Sequence, residues 1–187
     1  MFYYKSMDAL TLPLSNQLLV LTAPHAAVTL MLELAARLAL TGELRVLDGG
    51  NRFNVYPVAR TIRRYSPELT SALARIRLAR AFTCYQAAAM LAEMPAEPRP
   101  LLVIDLLATF YDESVNLNES RRLLAGCIPH LQRLSQVAPV VVSAKPPASI
   151  SAERAVLAEA LRGAASGAWQ LEPLPVPKVP TLWEQGA

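Results

Sequence analysis

Asp105 is the residue whose type and position most directly suggest chemistry, because it follows the aliphatic run 101–104. Four apolar residues after a Pro-Arg-Pro break predict a strand that is buried on both faces, with Asp105 at its carboxyl end. In phosphate-binding α/β proteins such an aspartate holds the magnesium of a nucleotide, together with a Ser or Thr from a glycine-rich loop. That chemistry requires a phosphate-binding loop elsewhere in the chain.

The loop after the first predicted strand, 17–22, lacks the residue types that bind phosphate. It contains the segment Thr22-Ala-Pro-His-Ala-Ala-Val-Thr29, which has neither glycine nor lysine. A phosphate loop needs glycines so that backbone N–H groups can close around the anion, and a lysine that reaches the outer phosphates. Pro24 removes one donor, and alanine Cβ atoms disfavour the left-handed backbone that glycine adopts. Phosphate binding in the usual manner is therefore not expected.

Basic character is concentrated in residues 52–80, which hold seven arginines and one acidic residue, while the whole chain carries a net charge of +3. A run of this kind either faces solvent or contacts the phosphates of nucleic acid. Arg77 and Arg80, on a predicted strand, are alternatively expected to pair with carboxylates of the domain itself. The candidate DNA-binding residues are Arg52, Arg60, Arg63, Arg64 and Lys145.

Three of the four candidate arginines fall on one predicted helix, which is capped by Asn54 and runs to about Tyr65. The predicted apolar stripe of this helix consists of Val55, Val58 and Ile62. Arg60 and Arg64 stand one turn apart, and like charges at this spacing repel each other unless an anion compensates them. The helix is the best positive indication of a binding surface in the sequence.

The elements that must position these residues alternate between strand and helix along the chain. Predicted strands cover 17–22, 44–47, 77–81, 101–104, 140–143 and 169–171, with helices between them. This alternation predicts an α/β fold with a mainly parallel central sheet flanked by helices, in which ligands bind at the carboxyl ends of the strands. We expect a single domain over residues 1–172, followed by a proline-rich tail over residues 173–187.

Composition limits the class of protein. The 187 residues have a mean hydropathy of +0.27, which suffices for a sizeable core, and two cysteines, which cannot form a disulfide framework. The longest apolar stretch, 26–40, is interrupted by Glu33 and Arg37. We therefore expect a cytoplasmic protein with no membrane partner.

Five segments occur in an order that resembles the ATPase core of RecA-type recombinases, especially the archaeal RadA-like branch. The segments are 47–53 (Leu-Asp-Gly-Gly-Asn-Arg-Phe), 77–86 (Arg-Leu-Ala-Arg-Ala-Phe-Thr-Cys-Tyr-Gln), 101–110, 119–134 and 140–145. Within this resemblance, 101–110 is similar to the Walker B strand of the P-loop NTPase superfamily. The resemblance spans about residues 15–172 and implies a three-layer RecA-like fold.

The departures from that family concern its chemistry. The resemblance places the phosphate-loop lysine at Ala27 or Thr29, the catalytic glutamate at Gly50 and the glutamine that senses the γ-phosphate at Lys145. Only Asp105 keeps its type, and an aspartate alone cannot run phosphoryl transfer by the known arrangement. The residual nucleotide-binding candidates are Thr29, Asp105 and Lys145. No catalytic residue, metal site or cofactor is expected, although ATP with magnesium is the cofactor that the family would imply.

The sequence therefore predicts a catalytically inactive RecA-like protein that acts as a regulatory or structural partner in DNA repair or recombination. The expected partners are an active RecA-like ATPase, a second copy of the chain in a small oligomer, and DNA. Two alternatives stay open. One is a nucleotide-binding ATPase with an atypical phosphate loop, and the other is a signalling or scaffold module without a role on DNA.

Overall fold

A six-stranded parallel sheet forms the centre of the computed structural model, which describes residues 15–147 and 149–171. The strands are β1 Leu18–Thr22, β2 Leu44–Asp48, β3 Ile76–Arg80, β4 Leu101–Ile104, β5 Val140–Ala144 and β6 Gly167–Gln170. They lie side by side in the order β3-β2-β4-β5-β1-β6, each parallel to its neighbours. The central strands β4 and β5 are buried along their whole length, which explains their continuous aliphatic sequences.

Helices cover both faces of the sheet. They are α1 Val28–Thr41, α2 Val55–Tyr65, α3 Leu69–Ala74, α4 Cys84–Glu93, α5 Leu117–Ser135 and α6 Ala155–Gly163. The apolar residues of α1, α2 and α3 belong to one core cluster, and those of α4, α5 and α6 belong to the other. The predicted fold class, α/β with a parallel central sheet flanked by helices, is therefore confirmed as a three-layer architecture.

This topology determines where a ligand would enter. The chain leaves β1 and β2 towards one face of the sheet, and leaves β3, β4 and β5 towards the other. Adjacent strands whose connections depart in opposite directions open a crevice between their carboxyl ends. In the strand order observed here, such crevices open between β3 and β2, between β2 and β4, and between β5 and β1.

The helix that carries the arginines begins as the sequence predicts. The side chain of Asn54 caps α2 by accepting a hydrogen bond from the backbone N–H of Tyr56 at 2.9 Å. The prediction that Val55 belongs to the buried stripe is wrong, because its side chain is 44% exposed, whereas Val58 and Ile62 are completely buried. Val55 is the first residue of the helix and borders an open groove instead of the core.

Other element boundaries differ from the predictions by a few residues. Helix α5 begins at Leu117, two residues before the helix predicted over 119–134, because the side chain of Asn116 caps it by accepting a hydrogen bond from the backbone N–H of Glu119. A 3₁₀ turn, Ser149–Arg154, precedes α6.

Along 15–147 and 149–171 no helix has both the length and the apolar character needed to cross a membrane. The predicted tail, 173–187, lies outside the described residues.

Candidate functional site

Asp105 directly follows β4 and lies where the loops after β2, β4 and β5 meet at the carboxyl ends of these strands, a region that we call the crevice. Its side chain is 2% exposed, and one carboxylate oxygen, Oδ1, accepts a hydrogen bond from the backbone N–H of Lys145 at 3.3 Å. The other oxygen, Oδ2, lies 3.7 Å from Nε of Arg52. The backbone N–H of Asp105 donates to the hydroxyl of Ser143 at 3.1 Å. Asp105 therefore joins the loops that follow three different strands.

Burial dominates the electrostatics of this carboxylate. Loss of solvent raises the pKa of Asp105 above its ordinary value, and the negative charge of Asp48 adds to that rise. The hydrogen bond from Lys145 and the positive charges of Arg52 and Lys145 act in the opposite direction and lower the pKa. The contacts with these two neighbours thus offset part of the rise in pKa that burial causes.

A second buried carboxylate, Asp48, stands at the end of β2 and is tied to its own loop. It accepts hydrogen bonds from the backbone N–H groups of Arg52 at 2.9 Å and Phe53 at 2.8 Å, and its Oδ2 lies 3.4 Å from Nε of Arg80. The expectation that Arg77 and Arg80 pair with internal carboxylates is confirmed, because Arg77 also lies 3.9 Å from Glu43. Sequence reasoning did not select Asp48, although it ends an apolar strand just as Asp105 does.

Gly50, the position that the resemblance assigns to a catalytic glutamate, packs directly against Asp105. A Cβ atom built on Gly50 would lie 2.6 Å from Oδ2 and 2.7 Å from Cβ of Asp105. These distances are shorter than van der Waals contact, so a side chain at position 50 would displace Asp105 or its own loop. The crevice in this arrangement has room for one carboxylate, that of Asp105, and none for a second at position 50.

The loop after β1 adopts a backbone that its sequence disfavours. His25, Ala26 and Ala27 have φ values of 56°, 53° and 49°, so three successive non-glycine residues are left-handed. Alanine Cβ atoms disfavour this conformation, and the loop adopts it nevertheless at Ala26 and Ala27. Each such residue costs about 1 kcal/mol, and burial of both alanine methyl groups in the core offsets part of that cost. Left-handed backbone at this turn is thus held by packing.

The remaining nucleotide-binding candidates lie in different places. Lys145 contributes its backbone N–H to Asp105, so the structure brings these two residues together. Thr29 is exposed in the first turn of α1 and lines a groove of about 420 Å³ between α1 and α2. That groove also contains Arg60 and Arg64, two of the DNA-binding candidates.

Arg60, Arg63 and Arg64 form an exposed surface on α2, which we call the basic face of α2. In the part of the chain that the structure describes, none of these three guanidinium groups forms an ion pair. Six other arginines do have carboxylate partners: Arg37, Arg52, Arg77, Arg80, Arg99 and Arg122. The fourth arginine candidate, Arg52, forms an ion pair with Asp105. The positive charge of the basic face of α2, by contrast, has no carboxylate partner among the described residues.

A second, larger groove of about 920 Å³ lies on the other side of the start of α2, next to the edge strand β3. Its wall is mainly apolar and includes Val28, Phe53, Leu73 and Leu78, while Arg52 and Arg80 form part of its rim. The start of α2 thus adjoins two open grooves, and Arg60 and Arg64 of the basic face line the smaller one. No group of three or more His, Cys, Asp or Glu side chains within 15–147 and 149–171 is placed to hold a metal ion.

No protein-family model matches the chain, and no curated protein matches its sequence. The likeness to recombinase cores rests on the five sequence segments described above.

Proposed function

We propose that this chain is a catalytically inactive RecA-like protein that acts as a regulatory or structural partner in DNA repair or recombination, and that it contacts DNA through the basic face of α2. The observation that carries the proposal is the absence of any ion pair at Arg60, Arg63 and Arg64 among the described residues. Like charges one turn apart destabilise a helix slightly, so an external anion is the partner that they lack. The phosphates of DNA supply such anions in a row.

The state of the crevice supports the absence of catalysis. The carboxylate of Asp105 is occupied by Lys145 and Arg52, and Gly50 leaves no space for a water-activating carboxylate beside it. Phosphoryl transfer depends on positioned cations and a base, and the loop after β1 offers no lysine for that purpose. The crevice residues then have a structural use, because they fasten three loops to one another.

The protein partner that we propose is an active RecA-like ATPase or a second copy of this chain in a small oligomer. A domain without ATPase activity of its own contributes by binding other molecules at its surface. One such surface is the edge strand β3, where Arg77, Leu78, Ala79 and Arg80 are all exposed.

The test of DNA binding is fluorescence anisotropy of labelled single- and double-stranded DNA over a salt series. We expect wild-type binding that weakens steeply with salt, and the Arg60/Arg63/Arg64→Ala variant to lose most of the affinity and about 2 to 3 units of the slope of log K against log salt. The matched control is Arg99/Arg121/Arg122→Ala, which removes the same three charges from other surfaces and should bind almost as the wild type does.

Two outcomes would overturn the proposed DNA contact through the basic face of α2. Equal losses in the two triple variants would mean that net charge alone draws DNA to the protein. Absence of binding at low salt in the wild type would leave the scaffold role without DNA, and capture of the ATPase partner would become its test.

A nucleotide-binding role is the second candidate, and the left-handed turn at residues 25–27 favours it. That backbone is normally supplied by glycine, and backbone strain concentrates at functional sites. ATP with magnesium should then raise the melting temperature of the wild type, and this shift should disappear in Asp105→Asn. A shift that persists in Asp105→Asn, or no shift in either protein, would count against nucleotide binding at this crevice.

A further inference from the structure

We infer that the nucleic acid bound by α2 is single-stranded and that one unpaired base stacks on the ring of Tyr56. The inference rests on the proposed function, in which DNA contacts the basic face of α2, and it adds the form of the DNA and a residue that reads it. Tyr56 is 80% exposed, the highest value among the large apolar side chains that the structure leaves in solvent. A tyrosine of this exposure on an arginine-rich helix offers a flat surface beside positive charge.

The spacing of Tyr56 along α2 puts it on the same stripe as the arginines. Residues 56, 60 and 63 follow one another at intervals of four and three, which brings them to one side of the helix. Tyr56 and Arg60 are therefore about 6 Å apart along the helix axis, and Arg60 and Arg63 about 4.5 Å. A strand that lies along α2 can place phosphates at Arg60 and Arg63 and a base at Tyr56.

The groove between α1 and α2 gives that base a place to lie. Tyr56 forms part of its wall, Leu32 and Pro57 add apolar surface, and Thr29 and Thr61 bring hydroxyl groups to it. Its volume of about 420 Å³ is in the range of sites that hold small organic groups. A base in this groove would have an apolar face covered and polar edges near hydroxyl groups.

The charges around the groove suit an anionic ligand. Arg60 and Arg64 line it, and its one acidic residue, Glu33, is paired with Arg37 at 2.8 Å. A nucleic acid fits this combination better than an acidic protein segment does, because it carries a flat aromatic group on every charged unit. The exposed ring and the uncompensated arginines are then used by the same ligand.

The preference for single strands follows from where the base faces are. In a duplex they are stacked on one another, so that a helix surface reaches only phosphates and groove edges. In a single strand each base has a free face, and stacking on one aromatic side chain strengthens binding by about tenfold. A surface that offers one exposed ring beside three arginines therefore gains more from a single strand than from a duplex.

Tyr65 is the natural control, because it lies on the same helix and is 60% exposed. The guanidinium group of Arg37 lies over its ring, 5.7 Å from the centroid, and covers one face. Tyr65 is not among the residues of the groove between α1 and α2. Substitution of Tyr65 removes the same type of side chain without removing the ring that we assign to the base.

The test compares a labelled oligo-dT strand with a duplex of equal length, and adds an oligonucleotide of equal length that consists of abasic sites. Single-stranded DNA should bind more tightly than duplex to the wild type. Tyr56→Ala should weaken binding of the single strand about tenfold, with duplex binding and the salt slope unchanged. Tyr56→Phe and Tyr65→Ala should stay close to the wild type. The abasic strand should bind Tyr56→Ala and the wild type equally.

Each contrary result has a distinct meaning. If the wild type binds neither form, the proposed function fails and this inference with it. If Tyr56→Ala binds both forms as well as the wild type does, the proposed function stands and the stacking role is overturned. Equal losses on single strand and duplex would show that Tyr56 supports the helix, and displacement of DNA by polyglutamate at equal charge would assign the surface to an acidic protein.

Discussion

The crevice around Asp105 and the basic face of α2 are two charged regions of this molecule that differ in whether their charges have partners within the chain. In the crevice both carboxylates are buried, and each is matched by an arginine and by backbone N–H groups of neighbouring loops. On α2 three arginines face solvent, and none forms an ion pair among the described residues. The crevice is therefore complete without a ligand, whereas the basic face of α2 is not.

This difference changes where function should be sought in an α/β domain. The carboxyl ends of the strands are the usual place for a ligand. Here the groups at that place stabilise one another and fasten the loops after β2, β4 and β5. The uncompensated charge lies on the outer surface of a flanking helix instead. The presence of an aspartate at the end of a buried strand therefore does not by itself indicate phosphate chemistry.

Substitution of Gly50 should give the largest effect on the crevice. In Gly50→Ala the new methyl group would lie within 3 Å of the Asp105 side chain, so we expect a loss of about 2 kcal/mol in the free energy of unfolding. Urea denaturation measures this loss. The control is Gly126→Ala on α5, where a Cβ atom meets nothing within 4 Å and the helix should gain up to about 1 kcal/mol. Equal effects at the two glycines would mean that Gly50 and Asp105 are not tightly packed.

Replacement of the buried carboxylate should give a smaller effect that depends on pH. Burial raises the pKa of Asp105, so the folded state keeps this proton to higher pH than the unfolded state does. The stability that the proton contributes is complete below the ordinary pKa of 3.8 and is lost as the pH rises through the folded value. Asp105→Asn cannot titrate, so its free energy of unfolding should rise relative to wild type between about pH 4 and neutral pH.

Asp112 provides a control with the opposite sign for the Asp105 measurement. Hydrogen bonds from the side chain and the backbone of Ser114 lower the pKa of this exposed carboxyl, so its ionised form contributes stability that is lost as the pH falls through the folded value. Asp112→Asn should therefore lose stability relative to wild type as the pH rises. Urea denaturation at a series of pH values measures both differences. The same trend in both variants would contradict the assignment of the Asp105 effect to burial.

The fold was predictable from the sequence because it follows from local patterns. Continuous apolar runs such as 101–104 indicate strands that are buried on both faces, and the cap Asn54 marks where α2 begins. All six strands were expected within a few residues of their observed positions. These signals lie within about ten residues of one another, and that is why a single sequence reveals them.

The crevice was only partly predictable because its contacts join distant positions. Asp105 meets Lys145, which is 40 residues away, and its ion pair with Arg52 links two separate loops. No local pattern encodes those distances. Tyr56 was also missed, although its spacing from Arg60 and Arg63 is visible in the sequence. The binding surface was predicted from its charges, and a tyrosine on the same stripe carries none.

At residues 25–27 three non-glycine residues adopt the left-handed backbone that their side chains disfavour. This turn therefore allows the cost of backbone strain to be compared with the stabilisation from side-chain contacts. His25 is exposed and left-handed, so His25→Gly should relieve strain while removing little buried surface, and stability should rise by roughly 0.5 kcal/mol. Asn51 is also exposed and left-handed, with φ of 53°, but asparagine tolerates this conformation, so Asn51→Gly should leave stability nearly unchanged. Thermal unfolding measured side by side resolves the difference. A loss of stability in His25→Gly would show that the contacts of this histidine outweigh its backbone strain. The loop after β1 would then be stabilised by contacts within the chain, as the crevice around Asp105 is and the basic face of α2 is not.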